Sequence, residues 1–305
     1  MRKLGIFISL ILVITLLGGC GTIPSTPAGV TNYTEAGVDP ETWVTVPAGE
    51  YVKGQHEDEG LVDYDYEIMA TEVTNAQYAK YLQEALAAGT IKLTEKNVVM
   101  GFYPGDEFED GRHEEEINAG DYKHFDLEDL ASRIQYDGSN FTVKAGYENH
   151  PVTMVTWFGA NAYAEFYDYR LPTEDEWQKA ARGTDNRPWP WGDEDINHHY
   201  ANYYHSGDPF ETAEGYSDTT PVGFYNGDTY GDFETIDNSS PYGAYDMAGN
   251  VGEWTGDKIF EYHYRHIRGG NRGSYEIDLR VWKRDNAQPE HSSPGVGFRV
   301  ARDPQ

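Results

Sequence analysis

The chain has 305 residues, and its 23 Lys and Arg stand against 52 Asp and Glu, which gives a formal net charge of −29. This balance excludes a nucleic-acid-binding surface, because phosphate recognition depends on clustered Lys and Arg. The single cysteine, Cys20, excludes an intrachain disulfide, an iron–sulfur cluster and any thiol-based site further along the chain. Apolar residues make up 38% of the chain, but aromatic residues reach 14%, so a core built on large rings is expected.

Residues 1–19 have the pattern of a signal peptide. Arg2 and Lys3 precede an apolar run that ends at Leu17 and is too short to span a bilayer comfortably. The motif Leu17-Gly18-Gly19-Cys20 resembles a bacterial lipobox, in which the cysteine is lipidated and becomes the new N-terminus. We therefore predict a lipoprotein of the cell envelope that is held on a membrane through Cys20, with an extracytoplasmic body. The alternative is an ordinary signal peptide or an N-terminal anchor helix.

The segment that follows is predicted to be a tether. Residues 20–42 are rich in Thr, Pro and Gly and have little apolar content, which is typical of a flexible linker. From Trp43 onward there is neither a second linker nor an internal repeat. The sequence therefore predicts a single domain over residues 43–303.

The first part of this domain contains one predicted hairpin and one predicted helix. Trp43–Pro47 and Glu50–Gly54 are predicted to pair with each other around a turn at Pro47–Gly49. Thr74-Asn75-Ala76-Gln77 is a capping box that opens a helix ending near Ala88. Residues 101–121 then carry an acidic run, which we interpret as a solvated surface insertion, with a cation site as the alternative.

Two further helices follow a second hairpin. Ile134–Tyr136 and Phe141–Val143 are predicted to pair around Asp137-Gly138. Helices are predicted over 157–167 and, after a capping box at Thr173, up to Arg182. We interpret the adjacent acids at 174 and 175 as carboxylates that complement the dipole of this helix, rather than as an acid/base pair. Beyond residue 183 the pattern predicts short strands and long loops, for which bound cations are an obvious staple in the absence of disulfides.

A set of motifs in fixed order resembles the sulfatase-modifying-factor family, whose best-known member is the formylglycine-generating enzyme. The resemblance covers about residues 43–302 and implies an α+β fold related to C-type lectins, with sparse secondary structure and long ordered loops. The motifs are His150-Pro151-Val152-Thr153, Arg170-Leu171-Pro172-Thr173-Glu174-Asp175-Glu176-Trp177, Trp189-Pro190-Trp191-Gly192, Tyr242-Gly243-Ala244-Tyr245-Asp246-Met247-Ala248-Gly249-Asn250-Val251, Glu253-Trp254, Arg268-Gly269-Gly270 and Gly297-Phe298-Arg299.

The catalytic chemistry of the family does not carry over to this chain. The family's oxidase uses two cysteines after Arg-Gly-Gly to bind copper, and soft thiolates suit Cu(I). Here residues 268–280 contain no cysteine, Asn271 replaces the usual serine, and Gly252 replaces a tryptophan. We therefore expect neither copper binding nor formylglycine generation by that route. Ser274 is interpreted as a loop hydroxyl rather than a nucleophile.

The resemblance also implies two structural calcium sites built from oxygen ligands, which a hard cation prefers. The alternative is that these residues only satisfy loop amides. In the first implied site the ligands are Asn202, Tyr203, Glu214 and Tyr216. In the second implied site they are Asp246, Gly249, Val251 and Glu253.

Two classes of function fit these observations. The first is a membrane-anchored binding or scaffold domain that recognises an envelope protein segment or a glycan. Its groove would be fringed by Asn271, Arg272, Tyr275, Trp282, Arg284 and Asn286, since Arg, Tyr and Trp dominate recognition hot spots. The second is a cysteine-independent oxidoreductase or maturation enzyme of the same family. An enzyme would need convergent titratable groups, for which Glu276, Asp278 and Asp285 are the nearby candidates.

Overall fold

The computed structural model describes residues 27–106, 117–212, 217–258 and 263–304, and all structural statements refer to them. The helices are α1 (Ala28–Asn32), α2 (Asn75–Ala88), α3 (Trp157–Phe166) and α4 (Glu174–Arg182), with a 3₁₀ turn at Glu276–Leu279. The strands are β1 (Trp43–Val46), β2 (Gly49–Lys53), β3 (Asp58–Val62), β4 (Tyr66–Met69), β5 (Ile91–Leu93), β6 (Val98–Tyr103), β7 (Gly120–Asp126), β8 (Ile134–Tyr136), β9 (Phe141–Val143), β10 (Thr229–Tyr230), β11 (Phe233–Glu234), β12 (Gly252–Lys258), β13 (Arg265–Arg268), β14 (Arg284–Ala287), β15 (Val296–Gly297) and β16 (Ala301–Arg302).

The strands form several small sheets within the domain. The largest has four strands in the order β14-β13-β12-β15, and a three-stranded sheet, β1-β4-β16, joins the start of the domain to its end. A second three-stranded sheet has the order β5-β6-β7, and three two-stranded hairpins complete the set. Long loops separate these elements after α4. This arrangement confirms the predicted α+β class with sparse secondary structure.

The predicted helices are confirmed because their end signals are local. In α2, Thr74 accepts a hydrogen bond from the Gln77 backbone amide, and the Gln77 side chain accepts one from Thr74. Gly89 ends α2 with a positive φ of 75°, a conformation that glycine adopts without strain. The same capping box, with Thr173 and Glu176, starts α4. The predicted hairpin of β8 and β9 also forms.

The first predicted hairpin is wrong. Strands β1 and β2 both exist, but β1 pairs with β4, and β2 pairs with β3. The turn between them carries the chain from one sheet to the next instead of folding it back. Lys179 of α4 donates hydrogen bonds to the carbonyls of Pro47 and Gly49, so these turn carbonyls are satisfied from outside.

Two apolar clusters form most of the core. The larger one lies between α2, α3 and the sheets around them and is rich in aromatic rings such as Tyr78, Phe125 and Trp157. The second packs α4, through Trp177, against the sheet of β1 and β4. These clusters place the N-terminus of α4 against one face of the four-stranded sheet, which positions the cavity described below.

The described part of the predicted tether is packed against the domain. Val30 is buried, the ring of Tyr33 contacts Phe210 and Phe224, and the amide of Gly37 donates a hydrogen bond to the Val222 carbonyl. These contacts differ from the flexible segment predicted over residues 20–42, because aromatic side chains anchor residues 27–42. The predicted signal peptide and Cys20 lie outside the described residues. Within the ranges given above, no helix is long and apolar enough to cross a bilayer.

Candidate functional site

The loop that follows Arg268 is closed by its own polar side chains. The Asn271 amide donates a hydrogen bond to the Ser274 hydroxyl at 3.1 Å, and the Asn271 side chain accepts one from Gly273 at 2.8 Å. Arg272 donates to the Ser217 carbonyl at 2.9 Å and also to the Pro294 carbonyl. Two predicted groove residues, Asn271 and Arg272, therefore hold the loop in place rather than facing solvent freely.

The outer edge of this loop is apolar and exposed. Tyr275 is 65% exposed and Ile277 is 58% exposed. The ring of Tyr275 packs edge-on against Tyr204, which is 38% exposed, with ring centroids 5.1 Å apart. Tyr275 is the predicted groove residue that best fits a recognition surface, and the structure adds Tyr204 and Ile277 to it. We call Tyr204, Tyr275 and Ile277 the aromatic edge.

The other predicted groove residues are Trp282, Arg284 and Asn286. The Trp282 ring is covered by the guanidinium groups of Arg182, at 5.2 Å, and Arg280, at 5.6 Å. Arg284 and Asn286 lie on β14, opposite Arg268 and His266 of β13. Arg284 extends toward α4, with its guanidinium 3.9 Å from the Glu174 carboxylate. Arg284 is thus the predicted groove residue that lines the cavity beside α4 described below.

The predicted enzyme candidates are exposed or already paired. Glu276 is exposed, and Asp278 forms a 2.9 Å ion pair with Lys283. Asp285 is exposed on β14. In the portion of the chain that the structure describes, neither a carboxylate nor an imidazole hydrogen-bonds to Ser274, whose hydroxyl accepts the Asn271 amide.

At the second implied calcium site, Glu253 forms a fully buried ion pair. Both Glu253 oxygens accept hydrogen bonds from Arg299, at 2.6 and 2.7 Å, and one also accepts the Trp177 indole N–H at 2.8 Å. Asp246 accepts the Gly223 amide at 2.6 Å. These partners are sufficient to explain the burial of both carboxylates, as the alternative interpretation expected.

This site nevertheless holds more buried carboxyl groups than cationic partners. Glu72 lies fully buried beside Asp246, and one of its oxygens has no hydrogen-bond partner among the described residues. Burial and the nearby Asp246 raise the pKa of Glu72 well above its usual range. Three carboxylates here share one guanidinium, that of Arg299, so a divalent cation fits the charge of the site. Across the described ranges no three acidic, histidine or cysteine side chains converge as ligands, so such a cation would depend on loop carbonyls.

The first implied calcium site is only partly described. The Asn202 side chain accepts a hydrogen bond from the Ser217 hydroxyl and donates one to the Asp218 carbonyl, both at 2.7 Å. Tyr203 is buried in an apolar cluster with Trp189 and Leu279. The other two implied ligands, Glu214 and Tyr216, lie outside the described residues.

A separate polar cavity of about 410 Å³ lies between the N-terminus of α4, the β2–β3 hairpin and one face of the four-stranded sheet. Its charged groups come from distant parts of the sequence. Burial and the neighbouring Glu174 raise the pKa of Asp257, and burial lowers the pKa of His266. The cavity is lined by Lys53, Leu61, Val62, Tyr64, Thr173, Glu174, Asp175, Asp257, His266 and Arg284.

Sequence reasoning missed this cavity for a simple reason. The sequence pattern indicates Glu174 and Asp175 only as partners of the helix dipole, and it places Arg284 in the groove. The one available signal was the pair of adjacent carboxylates at the start of α4, which the fold turns toward β13 and β14.

The fold and these loops define an α+β domain of the formylglycine-generating-enzyme type. The chain matches the description "Sulfatase-modifying factor enzyme 1-like domain" over residues 30–304, and it belongs to that family. The resemblance drawn from the motifs is therefore confirmed.

Individual relatives agree with this assignment. The chain is 33% identical over 180 residues to the formylglycine-generating enzyme of Mus musculus, an alignment that covers 51% of this chain and 45% of the relative. It is 36% identical over 190 residues to the serine/threonine-protein kinase pkn1 of Chlamydia caviae, which covers 56% of this chain and 27% of the relative. The chain thus spans less than half the length of these curated relatives.

Solved structures show the same fold. PvdO from Pseudomonas aeruginosa has a TM-score of 0.54 and 22% identity, covering 92% of this chain and 99% of that one. Treponema denticola variable protein 1 has a TM-score of 0.52 and 18% identity, covering 88% and 98% respectively.

Proposed function

We propose that this chain uses the formylglycine-generating-enzyme fold for recognition rather than oxidation. On this proposal it is a lipid-anchored, extracytoplasmic module of the cell envelope that binds a protein segment or a glycan. The observation that supports it is the loop after Arg268. Its polar side chains are committed to structural hydrogen bonds, while its aromatic edge is exposed.

The aromatic edge has the properties of a recognition surface. Tyrosine supplies a large contact area with little loss of conformational entropy on binding, and it is enriched at interface hot spots. Tyr275 is braced by Tyr204 at 5.1 Å, so its ring is partly fixed before a partner arrives. Preorganisation of this kind lowers the entropic penalty of association.

The test of this surface is binding by the purified full chain to envelope protein fractions and to a glycan array. We expect that Tyr275→Ala combined with Ile277→Ser abolishes retention of the partner. Phe102→Ala is the matched control, because Phe102 is equally exposed, at 65%, but lies on β6. Equal retention by wild type, control and double variant would assign binding to another surface, and the array separates a glycan from a protein partner.

The membrane anchor has its own test. Cys20 is the only thiol of the chain, so Cys20→Ser removes the only side chain that could carry the lipid. We expect the variant to leave the membrane fraction or to accumulate as an uncleaved precursor. Normal processing together with membrane retention would show that the lipobox interpretation is wrong.

Absence of the copper-dependent activity follows from the same residue count. Because no thiol lies beyond Cys20, the folded domain lacks the ligands that hold Cu(I) in the family's oxidase. We expect the full-length Cys20→Ser variant neither to bind Cu(I) tightly nor to convert a cysteine peptide to formylglycine. Turnover above a metal-only blank would overturn this expectation.

We further propose that calcium stabilises the loop from Asp246 to Glu253. A cation bound only by the folded state adds about 2.7 kcal/mol at a hundredfold excess over its Kd. Asp246 and the carbonyls of Gly249 and Val251 would hold it, beside the uncompensated Glu72.

Thermal unfolding in calcium and in EDTA checks this proposal. We expect EDTA to lower the wild-type midpoint and to have a smaller effect on Asp246→Ala. Asp208→Asn serves as the control, since Asp208 is equally buried but belongs to neither implied site. Glu253→Gln is less informative here because it also disturbs the Arg299 pair. An unmoved wild-type midpoint in EDTA would leave these residues as loop hydrogen-bond partners only.

A further inference from the structure

Most charges around the cavity beside α4 are already paired. Lys53 forms an ion pair with Asp175, which also accepts a 2.7 Å hydrogen bond from the Tyr51 hydroxyl. Arg268, buried under the cavity, lies 3.4 Å from the Glu174 carboxylate. In each of these two pairs the opposite charges compensate each other. Together the pairs form one polar side of the cavity at the start of α4.

Two groups of opposite charge, Asp257 and Arg284, are less well compensated. Asp257 has no cationic partner among the described residues, and one of its oxygens accepts a hydrogen bond from the Glu174 amide. The Arg284 guanidinium is 58% exposed and has only the contact with Glu174, at 3.9 Å, which is too long for a hydrogen bond. The cavity therefore offers one carboxylate without a cationic partner and one exposed guanidinium that makes only a long ion pair.

The shape of the cavity adds a third property. Its volume of about 410 Å³ falls within the range of small-molecule sites. Leu61 and Tyr64 at its rim are exposed apolar side chains. A ligand could therefore cover an apolar surface while its polar groups reach Asp257 and Arg284.

Ligands with a single kind of charge fit this lining poorly. An anion would meet three carboxylates, of which Asp257 is unpaired, and a cation would meet Lys53 and Arg284. A neutral ligand would desolvate Asp257 and Arg284 without supplying either with a counter-charge, which is unfavourable. A ligand that carries both charges compensates both groups at once.

We propose that this cavity binds a small zwitterion, such as a free amino acid, whose ammonium group pairs with Asp257 and whose carboxylate pairs with Arg284. The uncharged part of the ligand lies against Leu61 and Tyr64. Charge-assisted hydrogen bonds of this kind are roughly twice as strong as hydrogen bonds between neutral groups. This site is separate from the aromatic edge and does not depend on the recognition function proposed above.

The test is calorimetric titration of the purified full chain with each of the twenty free amino acids. We expect at least one to bind with a Kd of about 1 mM or lower. Its N-acetyl derivative, which lacks the ammonium, and its amide, which lacks the carboxylate, should each bind at least about tenfold more weakly. Glucose and acetate serve as neutral and anionic probes and should not bind.

Two variants test which residue pairs with the ammonium group of the ligand and which pairs with its carboxylate. Asp257→Asn should remove the preference for the free amino acid over its N-acetyl derivative, and Arg284→Gln should remove the preference over the amide. Asp285→Asn and Lys283→Gln are matched controls, because they make the same charge changes next to the cavity without lining it. All four variants should remain folded, as judged by a cooperative thermal transition.

Three outcomes would overturn the proposal. These are absence of binding by all twenty amino acids at millimolar concentration, binding of glucose or acetate in their place, and unchanged discrimination in Asp257→Asn and Arg284→Gln. The Tyr275→Ala and Ile277→Ser double variant should bind the amino acid normally. Failure of the recognition proposal and failure of this one are therefore distinguishable.

Discussion

The region around α2 and α3 and the loop-rich region after α4 are both well buried, but they are held together by different side chains. In the first region aromatic rings pack directly on one another. Tyr78 is surrounded by four other rings at centroid distances from 5.3 to 6.1 Å, those of Tyr81, Phe125, Tyr163 and Phe298. Such contacts are mainly apolar, so truncation of one side chain leaves a cavity and not an unpaired charge.

The loop-rich region uses buried arginines instead. Arg268 donates hydrogen bonds to the carbonyls of Val281, Trp282 and Lys283, and Arg272 binds two further loop carbonyls. Arg299, fully buried, reaches the carbonyls of Met69, Ala70 and Tyr245 as well as Glu253. Each arginine thus connects segments that are far apart in sequence.

The difference follows from the needs of the backbone. A helix or strand satisfies its own N–H and C=O groups, whereas a buried loop must find partners elsewhere. Arginine offers five donors in a fixed fork and stays charged, so one side chain can satisfy several carbonyls. In a chain without disulfides, these arginines cross-link the loops, a role that the sequence analysis assigns to bound cations. Calcium is a separate proposal.

The largest expected loss of stability comes from removing one of these buried arginines. Arg299→Met removes the partner of Glu253 and leaves a buried carboxylate uncompensated, which destabilises proteins by about 3–5 kcal/mol. We expect the variant to unfold at a much lower denaturant concentration than wild type, measured by tryptophan fluorescence.

The second-site variant Glu253→Gln sharpens this test. In the Arg299→Met background it removes the uncompensated charge while keeping an acceptor for the Trp177 indole. We expect the double variant to recover part of the lost stability. A wild-type midpoint for Arg299→Met alone would show that the loops do not depend on this arginine.

The comparable change in the aromatic region is Leu82→Ala. Leu82 lies fully buried on α2, and truncation of a buried leucine costs about 2–5 kcal/mol through lost transfer energy and cavity formation. We expect a loss at the low end of that range, because neighbouring rings can move into the space. Leu86→Ala, on the partly buried side of the same helix, is the control and should cost less. A larger loss for Leu82→Ala than for Arg299→Met would reverse the proposed ranking.

The same contrast explains what could be predicted from the sequence. The starts of α2 and α4 were predicted because a capping box is contained within four residues, and the family's motifs fixed the fold. The pairing of β1 and β2 was wrong because strand partners depend on distant segments: β1 lies beside β4, and β4 lies beside β16 at the end of the chain.

The candidate sites could be predicted less well. Tyr275 lies exposed on its loop, whereas Arg284 lies near Glu174 of α4, a position that depends on the register of β14 against β13 and is not visible in the sequence. The cavity beside α4 joins Lys53, Asp257 and Arg284 from three separate regions. Only the packing of α4 on the four-stranded sheet brings these charges together.

A smaller effect, dependent on pH, is expected at Asp208 in the loop-rich region. Burial raises the pKa of Asp208 to about 6, against 3.8 in an unfolded chain. Between these values the folded chain retains a proton that the unfolded chain has released. The stability contributed by this group is therefore present at low pH and is lost as the pH rises through 6.

Asp208→Asn removes this penalty. Asparagine can still accept the Phe210 amide, which bonds Asp208 at 2.8 Å. We expect the variant to be more stable than wild type by about 1–3 kcal/mol at pH 7.5, with the difference disappearing toward pH 4. Denaturant unfolding at several pH values measures it. Asp137→Asn is a control of opposite sign, because backbone hydrogen bonds lower the pKa of Asp137. A constant difference across this pH range would show that Asp208 does not titrate as described.

The smallest effect is expected at the cap of α2, where the aromatic region meets the N-terminal loops. Thr74 accepts the Gln77 amide at 3.2 Å, and the Gln77 side chain accepts the Thr74 amide at 2.9 Å. Thr74→Ala removes the first of these bonds, and loss of such a cap costs about 1 kcal/mol. Thr74→Ser retains the hydroxyl and should be close to wild type in denaturant unfolding. The equivalent change in α4, Thr173→Ala, should cost a similar amount, since its box has the same geometry. If Thr74→Ala and Thr74→Ser unfold at the same denaturant concentration, packing of the aromatic rings, and not the cap, determines where α2 begins.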